Sequence, residues 1–196
     1  IDFNINTQKF SLPVPGIYHV YNFLAAFACA QYLKIPISTI QQALKDFSPA
    51  FGRVERLDFG YIFLIKNPAG ATQVFQTLAP EIKDQDRLLL ALNDNLADGT
   101  DVSWIWDSEF ELLRTPNSKQ QTICSGSRAQ DLAVRLKYAG FNPKLIIIEN
   151  HLDKAFKQAR IGLKGRLFVL PTYTALLELQ SILVKQGLKN NYWQNE

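Results

Sequence analysis

The stretch Asn93-Asp94-Asn95-Leu96-Ala97-Asp98-Gly99-Thr100-Asp101-Val102-Ser103-Trp104-Ile105-Trp106-Asp107 is the part of this chain richest in groups that could do chemistry, with four carboxylates beside two tryptophans. A carboxylate can hold a cation, orient an imidazole or move a proton, and each use requires its own spacing. A calcium loop of the EF-hand kind fails: counted from Asp94, Leu96 falls on the third ligand position and Ile105 where a bidentate Glu belongs. Asp98-Gly99 fits a solvated turn, and Asp94 can be read in the same way. Asp101 and Asp107 point more toward function, because they bracket Val102 to Trp106, whose bulky apolar side chains can fix a neighbouring carboxylate in one orientation.

Three other stretches have site-like composition. In Lys66-Asn67-Pro68-Ala69-Gly70, Asn67 reads as the N-cap of a helix with Pro68 at its first position, which leaves the Lys66 ammonium at the end of an apolar strand as a functional candidate. Ser125-Gly126-Ser127-Arg128 could hold an anion on backbone N–H groups, although a plain Ser127 cap explains it better. Leu170-Pro171-Thr172-Tyr173-Thr174 offers three hydroxyls that also read as caps. His19 and His151 lack metal-ligand spacing, and neither sits beside a Cys or Ser in a nucleophile setting. Neither a G-x-G-x-x-G nor a G-x-x-x-x-G-K-[ST] loop is present.

These loops need elements to position them. From Tyr61 onward, apolar runs of strand length alternate with amphipathic helices, the pattern of a Rossmann-like, mostly parallel α/β sheet with helices on both faces. The expected strands are Tyr61 to Lys66, Arg87 to Leu92, Gln121 to Ser125, Leu145 to Glu149 and Arg166 to Leu170. Three helices follow from i, i+3, i+4, i+7 spacing: Ala71, Val74, Phe75, Leu78; Ala129, Leu132, Ala133, Leu136; and Leu152, Ala155, Phe156, Ala159. A last helix runs from about Thr174 to Gln186 and stops at Gly187, as the second stops at Gly140. In such a sheet, ligands sit outside the carboxyl ends of the strands, where the polar loops fall.

The first fifty residues read differently. Ile17 to Leu33, dense in Ala and aromatics, should be a helix buried on most sides, and a second helix should start at a capping box, Ser38-x-x-Gln41, and end at Ser48-Pro49. Two helices with little sheet cannot close a core, so residues 1–50 read as the tail of another domain, joined at Phe51-Gly52-Arg53-Val54-Glu55 to a domain spanning 51–196. Because the chain opens on Ile1-Asp2-Phe3 without Met, it reads as trimmed or cut from a longer precursor.

Composition sets bounds. Of 196 residues, 47% are apolar, and 21 basic against 18 acidic residues leave a net charge of +3, too little to argue for nucleic acid. Cys29 and Cys124 read as buried thiols in a reducing, cytoplasmic setting, and no apolar run reaches bilayer-spanning length.

Four blocks resemble the MurT family of Mur-ligase-like proteins over essentially the whole chain. They are Gly16-Ile17-Tyr18-His19-Val20-Tyr21-Asn22-Phe23-Leu24-Ala25-Ala26; Lys66 to Gly70; the Asn93 to Asp107 loop with its Asp-Val-Ser-Trp-Ile-Trp-Asp; and Arg135 to Gly140 together with Leu170 to Ala175. Mur ligases have an N-terminal domain, a central ATPase domain with a P-loop and a C-terminal Rossmann-like domain. The resemblance implies that 1–50 are the last helices of a central domain, 51–196 a MurT-type C-terminal domain, and the fragment alone inactive.

It further implies a heterodimer with a GatD-type glutaminase that amidates the α-carboxylate of D-glutamate in the lipid II stem peptide. ATP with Mg phosphorylates the carboxylate, and ammonia displaces the phosphate. An aspartate of the ligase subunit would complete the partner's Cys-His pair: Asp101, with Asp107 as the fallback. By the same resemblance Asn22 contacts adenine and Arg53 the ribose or phosphates, with Lys66 and Asn67 grouped as cofactor-binding. His19 stands where many relatives carry Asn, and Lys66 where other Mur ligases often carry Asp. Two rival readings are a non-catalytic docking module for the glutaminase and an unrelated Rossmann-like metabolite-binding domain; the absence of G-x-G-x-x-G opposes the second.

Overall fold

The computed structural model describes residues 1–47, 53–115 and 119–189. The chain divides into two compact units, Ile1–Val54 and Glu55–Glu196, so the break falls a few residues after the expected 50/51 boundary.

The first unit opens with an antiparallel hairpin, β1 (Asp2–Ile5) and β2 (Gln8–Ser11). Its tight turn is made by Asn6, which takes the left-handed conformation (φ 52) that asparagine tolerates better than most residues. Helices α1 (Ile17–Tyr32) and α2 (Ile37–Lys45) pack on it. The hairpin supplies Phe10, followed by Leu12 and Val14, to a small core shared with Val20, Phe23, Ile40 and Leu44, so this segment gathers a core of its own. Within this chain α1 is less buried than its composition suggests. It buries only His19, Val20 and Phe23, because a two-stranded hairpin covers one stripe; Tyr21 and Tyr32 stand 68% and 87% exposed. Cys29 is likewise exposed rather than buried. The capping box fails too: Pro36 is the N-cap of α2, and Gln41 Nε2 donates to Lys9 O at 2.9 Å, reaching the hairpin instead of its own helix start. Ser48 and Pro49, the expected stop, lie outside the described residues.

The second unit is a six-stranded sheet in the order β3-β4-β8-β5-β6-β7, formed by Glu55–Leu57 (β3), Gly60–Ile62 (β4), Arg87–Ala91 (β5), Thr122–Ser125 (β6), Ile146–Ile148 (β7) and Leu167–Pro171 (β8). All pairings are parallel except β3 with β4, a short edge hairpin whose charged Glu55-Arg56 gave no strand signal in the sequence. The central strands are covered on both sides: Leu88 to Ala91 and Leu167 to Leu170 are each at most 1% exposed. Regular pairing in β4 stops at Ile62, short of the expected Lys66, yet Phe63 N and Ile65 N still donate to Val169 O and Pro171 O at 2.9 and 3.0 Å.

Four helices cover the sheet: α3 (Pro68–Leu78), α4 (Ala129–Tyr138), α5 (Leu152–Arg160) and α6 (Tyr173–Lys185). Every apolar residue that set the spacing of the first three is buried. Between β5 and β6 the chain makes two 3₁₀ turns, Ser103–Asp107 and Phe110–Leu113, where the sequence suggested the start of a helix. They lie against α3 and α4, with the Phe75 and Phe110 rings 4.7 Å apart.

Gly60 sits where β4 comes close to β8: a Cβ there would lie 1.8 Å from Leu167 O. The atoms it would meet are backbone, so no side chain can swing away. Gly60→Ala is expected to lower stability by about 1–3 kcal/mol or more, read as a lower urea midpoint with an unchanged slope.

Candidate functional site

The loops after β5, β6 and β8 meet at the carboxyl edge of the sheet, where strand order reverses and β8 inserts between β4 and β5. Asn93, 9% exposed, joins all three loops. Its N–H donates to Thr172 Oγ1 (3.1 Å), its Nδ2 to Thr174 Oγ1 (2.9 Å), and its Oδ1 accepts from Ser127 N (3.0 Å). Thr174 is the second hub: its hydroxyl accepts from Asn93 and from Asn95 Nδ2 (2.9 Å) and donates to Asp98, which spends its one proton and both lone pairs.

This changes the reading of several loop residues. Asp98 is more than a turn residue, since its Oδ1 accepts Thr174 N at 2.8 Å and so caps α6 from 76 positions away. Gly99 beside it takes φ 89, as the turn requires. Ser127 is not a cap for α4; its hydroxyl donates to Asp94 Oδ1 at 2.7 Å. Thr172 likewise spends its hydroxyl on Asn93 instead of its own helix. The anion-binding reading of Ser125 to Arg128 loses its donors, because Gly126 N, Ser127 N and Arg128 N are bonded to Asn150 O, Asn93 Oδ1 and Leu92 O. The carboxyl of Asp94 is held below its ordinary range by the Ser127 hydroxyl first and then by Arg128, whose Nη1 lies 3.2 Å away.

Asp101 stands exposed beyond this knot. Its Oδ1 accepts Ser103 N at 2.8 Å, an Asx turn that opens the 3₁₀ segment. The backbone and then the hydroxyl of Ser103 hold its carboxyl below the ordinary range, so it is an anchored anion near neutral pH. Asp107 ends the same turn, exposed, with no hydrogen-bond or ion-pair partner among the described residues. Arg135, which spacing alone did not single out, is the buried charge behind them, 4% exposed and paired with Glu111 at 2.9 Å. An Arg between the apolar positions of a helix was the available signal.

Asn67 caps α3 as expected, its Oδ1 accepting Gly70 N at 2.8 Å, and Pro68 is the first helical residue. Lys66 is exposed, with no hydrogen-bond or ion-pair partner among the described residues. In the first unit, Asn22 and Arg53 do come together, with His19, around an apolar cleft of about 690 Å³ between α1 and α2. His19 Nε2 is buried there without a hydrogen-bond partner among the described residues, and burial, followed by the Arg53 charge, holds its pKa down. Among the described residues no group of three or more His, Cys, Asp or Glu could hold a metal ion. With Gly126 N, Ser127 N and Arg128 N already bonded, the loop after β6 offers none of these three donors to a phosphate. No helix among the described residues is long and apolar enough to cross a membrane.

The fold is similar to that of part of several ligases of known structure. It matches UDP-N-acetylmuramate-alanine ligase MurC of Thermotoga maritima with a TM-score of 0.64 over 92% of this chain and 40% of that one, at 14% identity. A pseudomurein peptide ligase type C from Methanothermus fervidus matches with a TM-score of 0.66 over 94% and 39%, at 21% identity. Within that class the sequence is more specific: the family described as MurT ligase C-terminal matches residues 64–176. Subunit MurT of the glutamine-hydrolysing lipid II isoglutaminyl synthase of Streptococcus pneumoniae is 34% identical over 95% of this chain, and its Staphylococcus aureus counterpart 35% identical over 88%. The chain belongs to the MurT family, and it spans about two-fifths of the length of those relatives, 42% and 40%.

Two measurements test the local architecture. Asp98→Ala should lower stability by about 0.5–2 kcal/mol through loss of the α6 cap, read by urea unfolding. Glu111 is held below its ordinary 4.5, first by its hydrogen bonds to Arg135. Its contribution is therefore present above the unfolded value and lost as pH falls through the lower folded one. Glu111→Gln should lose stability at pH 7 and show a smaller further loss on acidification than the parent, read as melting temperature against pH.

Proposed function

We propose that this chain is the C-terminal part of the ligase subunit of a glutamine-hydrolysing lipid II isoglutaminyl synthase. The enzyme amidates the α-carboxylate of D-glutamate in the peptidoglycan stem peptide, using ATP and ammonia released by a GatD-type glutaminase. Support comes from the kinship with MurT subunits over 95% of the chain. In the proposed enzyme, ATP and Mg are held mainly by a central domain, to which Asn22 and Arg53 contribute adenine and ribose or phosphate contacts; Lys66 and Asn67 are further nucleotide-side candidates.

Asp101 is the residue through which this chain acts on the glutaminase. The partner's cysteine must lose its proton to an imidazole, and a carboxylate on the imidazole's far nitrogen fixes the tautomer and stabilises the cation that forms. An exposed carboxylate that remains ionised and is anchored by a backbone N–H suits that task, and Asp101 is one. Asp107 is the alternative, but no comparable anchor holds its side chain.

A docking role without a catalytic group is the second reading, favoured by the aromatic surface beside Asp101: Trp106 and Tyr138 are 50% and 73% exposed and meet edge to face at 5.6 Å. Asp101→Asn in the full ligase subunit separates the two. Glutamine hydrolysis by the complex should fall by about 10²-fold or more while the subunits still co-purify; wild-type hydrolysis would leave only docking.

A further inference from the structure

The segment carrying Asp101 has little regular structure of its own. It consists of two single 3₁₀ turns joined at Ser108-Glu109, a geometry that rarely persists without outside support. On the α3 side Phe110 packs 4.7 Å from Phe75 and Glu109 N donates to Thr72 Oγ1 at 3.1 Å; on the α4 side a single side chain holds both turns. From α4, Arg135 sends Nε to Ile105 O (2.9 Å), Nη2 to Ser108 O (2.7 Å), and Nη1 and Nη2 to the two Glu111 oxygens (2.9 and 3.0 Å). The same guanidinium lies 5.6 Å from the Trp106 ring centre and 5.3 Å from that of Phe110. A planar fork thus ties the first turn, the joint and the second turn to a helix, and Asp101 is tied to the first turn through Ser103 N.

The core of α4 does not call for a cation: Ala129, Leu132, Ala133 and Leu136 already fill its buried stripe. An apolar residue at a buried ionic position is often as stabilising as the pair it replaces. What an apolar residue cannot supply is simultaneous bonding of two carbonyls and a carboxylate spread over seven residues. From this geometry we infer that Arg135 is the positioning residue of the proposed glutaminase activity, setting the register in which Asp101 meets the partner's imidazole. The inference rests on the Asp101 reading given above.

The test uses the full ligase subunit with its glutaminase subunit at saturating concentration, following kcat/KM for glutamine hydrolysis against pH in the parent, Asp101→Asn, Arg135→Ala and Arg135→Lys. A carboxylate beside an imidazole raises the pH at which the imidazolium loses its proton. Loss of that carboxylate, or of its register, should move the alkaline limb of the profile to lower pH.

Asp101→Asn and Arg135→Ala are both expected to shift that limb acidward and to lower kcat/KM by about 10²-fold, the scale of a misplacement of one ångström. Arg135→Lys keeps the charge but lacks the planar fork, so it should fall between the parent and Arg135→Ala; if Arg135→Ala does not fold, this variant carries the test. A limb that moves in Asp101→Asn but stays fixed in the Arg135 variants would overturn the inference and leave the Asp101 reading standing. So would full recovery of rate and limb at saturating partner, which would make Arg135 a docking residue only. If Asp101→Asn itself keeps the wild-type rate and profile, both fall together.

Discussion

A buried amide must find partners for all its donors and acceptors, and at the carboxyl edge of this sheet that requirement falls on Asn93. One residue after Leu92, it bonds outward to the loop after β6 and to the loop after β8, on the two sides of its own strand. The consequences spread from there. Thr174, engaged by Asn93, draws in Asn95 and Asp98; Ser127, engaged by Asn93, draws in Asp94. Positions that would be open donors in a nucleotide-binding Rossmann domain are bonded to neighbouring loops instead, which makes this edge a rigid mount. The mount ends at Asp98, and the chain then projects toward Asp101.

The second unit was legible in the sequence wherever a short period determines structure. Leu152, Ala155, Phe156 and Ala159 can share a face only in a helix, and Leu88, Leu89 and Leu90, apolar without alternation, fit a strand covered on both sides. The bonds of the site were not legible. Asn93 and Thr174 lie 81 positions apart and meet only because β8 inserts beside β5, a fact of strand order that no local spacing carries. Ser127 and Thr172 had the right chemistry and position to cap their helices, yet in both cases a tertiary partner took the hydroxyl. Local propensity was correct about hydrogen bonding and wrong about the partner.

The first unit failed the sequence reading for a different reason. Apolar composition in α1 suggests burial, but burial depends on what lies alongside, and a two-stranded hairpin reaches only the His19, Val20 and Phe23 stripe. The same composition records how much apolar surface the helix can offer, with Tyr21, Leu24 and Tyr32 all exposed. Asn22 and Arg53 sharing the rim of one cleft with His19 was likewise invisible in one dimension, since the two are 31 positions apart.

The two cysteines differ in a way that composition could not reveal. Cys124 lies wholly buried in β6, and burial pushes its thiol up to about 12, whereas Cys29 faces outward from α1. Thiolates are the nucleophiles that attack alkylating reagents, so at neutral pH this chain presents a single addressable sulfur. A maleimide dye or spin label would therefore attach to one chosen helix of the first unit without any engineering, leaving the sheet untouched.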